Sequence, residues 1–138
     1  MAVEHLSATL QVWRHTGGKP KPAEFLDQLI VDADDNVKKR KTPNPRVDVM
    51  FIERSEFTND AEPSESFAAE LAARLTKAAR WIDKQPPSLF ESLRISGFHT
   101  DLLFTGWIGC GQMDLDLPPA LLKSCGKHGL MISIITND

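Results

Sequence analysis

The sequence predicts one α+β domain, an antiparallel-rich sheet carrying its helices mainly on one face. Three observations lead there. Short segments alternate apolar and polar residues, each bounded by Gly or Pro. Between them lie segments whose apolar residues repeat at helical spacing. No linker-like stretch divides the 138 residues, so residues 1–138 read as a single domain. The predicted element order is β-α-β-α-α-β-β-α-β.

Each element has its own warrant. Ser7 to Arg14 alternates Ala8, Leu10 and Val12 with Thr9, Gln11 and Trp13, the period of a strand, and Thr16-Gly17-Gly18 ends it. Pro22 to Val31 reads as a helix: Pro22 suits a first turn, and Phe25, Leu26, Leu29 and Ile30 form an apolar stripe. Asp32 to Pro45, with its basic run Lys38-Lys39-Arg40-Lys41, reads as a loop. Val47 to Glu53 is a strand with Val47, Val49 and Phe51 on one face; Met50 and Ile52 on the other suggest cover on both sides.

Pro63 and Ser64 introduce the longest helix, Glu65 to Lys84, whose Phe67, Leu71, Leu75, Ala78 and Ile82 recur on one face until Pro86-Pro87 stops it. Ser88 to Ser96 is a second helix, with Ser88 and Glu91 spaced as a capping box and Gly97 as its C-cap. Phe98 to Ile108 is strand-like. Gly109-Cys110-Gly111 turns the chain into Gln112 to Leu117, where Met113, Leu115 and Leu117 alternate with Asp114 and Asp116, the expected hairpin partner. Pro118 opens a short helix carrying Leu121 and Leu122, Gly126 to Gly129 ends it, and Leu130 to Thr136 is the last strand.

Composition narrows the function. Charged residues make up 25% and the net charge is -3, which speaks against a phosphate-backbone binder. The apolar runs are far shorter than the about 20 residues of a membrane span. Met1-Ala2-Val3-Glu4-His5 has neither the basic nor the apolar region of a signal peptide. Two cysteines, Cys110 and Cys125, do not make a disulfide framework. A cytoplasmic protein with reduced thiols is expected.

Two apolar helices (Leu71, Leu75; Leu89, Leu93) lead to the Gly97 turn and a strand. A Gly-rich turn, the run Leu117-Pro118-Pro119-Ala120-Leu121-Leu122, the pair Gly129-Leu130 and an apolar strand follow. This pattern resembles the bacterial domain-of-unknown-function family 4279, most specifically over residues 88–136. Members often carry a Trp in the second strand, where this chain has Met50-Phe51. The resemblance implies a small α+β fold and no established activity, since no catalytic residues are associated with the family. Families of this style often stand beside toxin genes as immunity proteins, an argument from association.

The candidate chemistry is sparse. Cys110 with His99 and Asp101 contains the residue types of a nucleophilic site, but no helix N-terminus follows the cysteine to stabilise an oxyanion, and a turn cysteine is the plain reading. Cys125 and His128 have a C-x-x-H spacing but lack the second ligand pair of a zinc site. Cys125 then reads as a core thiol and His128 as a loop residue, and no metal or cofactor is expected. The glycines of Gly106-Trp107-Ile108-Gly109-Cys110-Gly111 join strand to strand, whereas a phosphate cradle leads into a helix. The run Lys38 to Lys41 is ordinarily a solvated loop.

What remains is a binding surface. Asp101 and Trp107 share a strand face, the hairpin would bring Asp114 and Asp116 beside them, and Trp13 sits on the polar side of its own strand. If helices cover one sheet face only, Trp13 and Trp107 show on the other. The expectation is a non-enzymatic protein binding a protein partner, most concretely an immunity protein inhibiting a bacterial toxin, through Trp107, Asp101, Asp114, Asp116 and Trp13. The alternative is a small-ligand-binding or regulatory module.

Overall fold

The computed structural model describes residues 3–13, 27–40, 46–53, 65–108 and 115–137, and their side chains over 6–13, 27–40, 46–53, 69–106 and 115–135. In chain order these form β1 (Val3–Trp13), β2 (Val37–Arg40), β3 (Arg46–Ile52), α1 (Glu65–Asp83), α2 (Leu89–Ile95), β4 (His99–Ile108), α3 (Pro119–His128) and β5 (Met131–Asn137). The strands make one mixed sheet of order β2-β3-β1-β4-β5. All neighbours are antiparallel except β4 and β5, which run parallel across the α3 crossover. This is an α+β domain, as the alternating strand and helix periods predict.

The sheet's two faces follow from β1. Leu6, Ala8, Leu10 and Val12 are fully buried, while Ser7, Thr9, Gln11 and Trp13 are half-buried. The buried set joins one core with Leu71, Leu75, Ala78 and Ile82 of α1, Leu89, Phe90 and Leu93 of α2 and Leu121 and Cys125 of α3. Leu75, Ala78 and Ile82 have no exposed surface, so the apolar stripe predicted for the long helix is its buried face. Among the described residues no helix covers the opposite sheet face.

Several details differ from the sequence reading. Val37–Arg40 is a strand paired with β3, not loop, so the basic run is a sheet edge. In β3 the register with β1 passes from Ala8–Ile52 to Thr9–Met50, leaving Phe51 as the extra residue of a bulge. The bulge returns Ile52 to the core beside Val47 and Val49 and turns Phe51 edge-on to Trp81, ring centroids 5.8 Å apart. Ser88 stands at the N-cap of α2 but makes no side-chain cap hydrogen bond, so no capping box forms. The Pro22–Val31 helix lies largely outside the described residues: Asp27 and Gln28 are helical and Leu29 is buried, but Ile30 is 46% exposed and off the stripe.

The largest correction concerns the predicted hairpin. Both sides of β4 are occupied, by β1 from Trp13–His99 to Val3–Ile108 and by β5 from Asp101–Met131 to Trp107–Asn137. No place remains beside β4 for the expected hairpin partner. Leu115 to Pro118 is irregular, and residues 109–114, with Cys110 and Asp114, lie outside the described residues.

Two joints hold the helical layer. Gln85, buried at the end of α1, accepts a hydrogen bond from the Ile30 N–H (2.8 Å) and donates to the Ile30 carbonyl (2.9 Å) and the Trp81 carbonyl (3.1 Å). At the end of α3, Gly129 takes φ +68 as the left-handed cap, a conformation glycine adopts without strain. The Leu130 N–H then reaches the Cys125 carbonyl at 2.8 Å.

Candidate functional site

The sheet face opposite the described helices is a grid whose rows are set by strand register. Arg40, Arg46, Trp13 and His99 stand side by side across β2, β3, β1 and β4. The adjacent row runs Lys38, Asp48, Gln11, Asp101 and Met131. Next come Met50, Thr9, Leu103 and Ser133, and beyond them Ser7, Thr105 and Ile135. Every one of these positions follows from period-two geometry once the pairing is known.

Within the grid the Trp13 and His99 rings stack, 4.3 Å between centroids and 21° between planes. Arg46 Nε donates to both oxygens of Asp48, at 2.8 and 3.1 Å, a pair two residues apart on one strand. The hydroxyls of Ser7 and Thr105 hydrogen bond across β1 and β4. Asp101 is the exception to this satisfaction. Burial raises its pKa, and a hydrogen bond from Ser133 and the charges of His99 and Arg46 offset this only in part. Its Oδ1 is closed off from solvent and has no hydrogen-bond partner. A sequestered carboxylate oxygen without a partner is costly and calls for an explanation.

The structure thus brings together Trp13 and Asp101 and adds His99, Arg46, Asp48, Gln11 and Ser133, which sequence reasoning missed as a group. Asp116 is exposed in the irregular segment before α3 and does not pair with β4. The backbone of Trp107 lies on β4 at the register position after Thr105 on the same face, but its side chain is outside the described residues.

Two other clusters resolve into structure. At the junction of α1 with residues 32–36, Asp32, Asp34 and Asp35 lie close enough to suggest a cation site. Lys84 already occupies it, donating to Asp32 (2.7 Å) and Asp35 (3.2 Å), while Trp81 Nε1 donates to Asp35 (3.1 Å). Beside it lies a cleft of about 240 Å³, lined by Asp34, Asn36, Phe51, Arg74 and Trp81 among others.

Between α1 and α3, the Ser124 hydroxyl donates to Asp83 Oδ2 at 2.9 Å and His128 Nε2 is 3.5 Å from Asp83 Oδ1. The residue types are those of a hydrolase triad, but the hydroxyl bonds the carboxylate and not the imidazole, so nothing activates it as a nucleophile. His128 is helical and 4% exposed, not the loop residue expected. Its neighbour Cys125 is a core thiol, pushed up to about 11 by burial and by Asp83.

Comparison with protein-family models, curated proteins and solved structures finds no significant match.

Proposed function

We propose that this chain is a non-catalytic, cytoplasmic binding protein that holds a protein partner against the sheet face opposite its helices, in the manner of an immunity protein that blocks a bacterial toxin. The observation that carries the reading is Asp101, a carboxylate with one unpartnered oxygen set diagonally beside the Trp13–His99 stack. A residue that costs the free protein stability is what a binding site supplies and a scaffold does not. A partner's guanidinium or ammonium set over the sheet face would offset the buried charge of Asp101, while a planar or apolar side chain packs on Trp13. The net charge of -3 favours encounter with a basic surface. The resemblance to the domain-of-unknown-function family points the same way.

The test is calorimetric binding of the purified product of the neighbouring gene, together with growth rescue on co-expression. We expect a complex, and Trp13→Ala and Asp101→Asn each to weaken it by roughly tenfold or more, the weight of a hot-spot residue, with the circular dichroism spectrum retained. No complex and no rescue would overturn the immunity reading. Binding untouched by both variants would place the interface elsewhere.

A second reading, a small-ligand module, rests on the cleft beside Trp81. Its about 240 Å³ is below the roughly 300–1,000 Å³ of ordinary ligand pockets. Lys84 and Trp81 already engage Asp35, which leaves room only for a small polar ligand.

A further inference from the structure

The two edges of the sheet are built differently. β2 exposes Lys38, Lys39 and Arg40, the charged edge by which sheet proteins avoid pairing with other chains. β5 is the opposite edge, and Met131-Ile132-Ser133-Ile134-Ile135 carries no charge at all. Three of these side chains stand well out of the core: Met131 is 68% exposed, Ile134 52% and Ile135 53%. An uncharged, apolar, β-branched edge strand offers a row of unpaired backbone groups to another strand.

The segment also reads nearly the same in both directions about Ser133. Antiparallel pairing of two copies around a dyad at Ser133 sets Met131 opposite Ile135 on the face opposite the helices and Ile132 opposite Ile134 on the helical face. Moving the dyad one residue to Ile132 sets Met131 opposite Ser133. Moving it to Ile134 sets Ser133 opposite Ile135 and Ile132 opposite Thr136. Only the Ser133 centre matches every apolar side chain with another and sets the serine against itself. No like charges meet across it.

We propose that β5 is a homodimer interface, in which two copies of this chain pair antiparallel about Ser133 and join their five-stranded sheets edge to edge. The contact is isologous and closes at two copies, because the charged β2 edge is left outermost on both sides. The dyad keeps both sets of helices on one side, so the two sheet faces opposite them become continuous. This assembly does not depend on the partner proposed above.

The test is sedimentation equilibrium of the full chain at high concentration. The wild type should weigh twice 15.4 kDa, and Ile135→Lys, a change at an exposed site, should sediment at 15.4 kDa with an unaltered circular dichroism spectrum. The register is read separately by oxidation in a Cys110→Ser background. Ser133→Cys should cross-link to a covalent dimer, whereas Met131→Cys, which faces Ile135 and not itself, should stay uncoupled. A monomeric wild type, growth beyond two copies, or equal cross-linking at both positions would overturn the proposal.

Discussion

At the residue scale the informative side chain is Asp101. Its raised pKa means that the folded protein holds this proton more tightly than the unfolded chain does. Stability from this group is therefore complete below the ordinary carboxylate range and is lost as the pH rises through the folded value. Asp101→Asn removes that loss while keeping a group able to accept from Ser133. We expect a higher melting temperature than wild type at neutral pH, the gain vanishing in acid, as read by thermal denaturation across pH. A lower melting temperature at neutral pH would show that the carboxylate is satisfied in solution. The sequence placed His99 and Asp101 on one face and Trp13 on the polar side of its strand, because both follow from local alternation. It could not place Arg46 and Asp48 beside them, because β1 brings β3 and β4 together from distant parts of the chain.

At the element scale α1 decides the stability of the helical layer. Leu75 has no exposed surface, and Leu75→Ala should cost about 2–5 kcal/mol in denaturant unfolding, as truncation of a buried leucine leaves a cavity the core only partly closes. A cost below about 0.5 kcal/mol would mean that α1 packs loosely. This helix was legible because a five-turn apolar period has no competing reading. β2 was not: four residues with three basic side chains look like solvated loop, and their strand character comes from pairing with β3. The Gln112–Leu117 hairpin was a wrong expectation for a related reason. Alternation in a segment reports a half-buried extended chain, but it does not say whether a neighbouring strand has a free edge to offer. Here β5, made from the last residues described, already holds that edge of β4.

At the scale of the whole molecule, pH dependence follows from the joint of α1 with residues 32–36. Burial works to raise the Asp35 pKa, but hydrogen bonds from the Asp32 N–H, Lys84 and Trp81 outweigh it and hold it below its ordinary value. Burial likewise works to lower that of Lys84, and its bonds to Asp32 and Asp35 outweigh this and raise it. The Asp35 contribution is present above the unfolded carboxylate value of about 4 and is lost as the pH falls through the folded one. The Lys84 contribution is complete below the unfolded value of about 10.4 and is lost as the pH rises through the folded one. Melting temperature should form a plateau between these limits and fall at both ends. Lys84→Met should lower the plateau and remove the alkaline fall; a variant matching wild type throughout would show that the joint contributes nothing.

The central position of β1 has a consequence for synthesis. Residues 3–13 emerge before both of their partners, one side of this strand pairing with residues 46–52 and the other with residues 99–108. A ribosome must therefore make residues 99–108 before the sheet can close around its middle strand. Until then β1 travels with one edge bare and an apolar face of Leu6, Leu10 and Val12 uncovered. The nascent protein is most exposed to misassociation during this interval, and a holdase that binds extended apolar segments would find β1 its natural client.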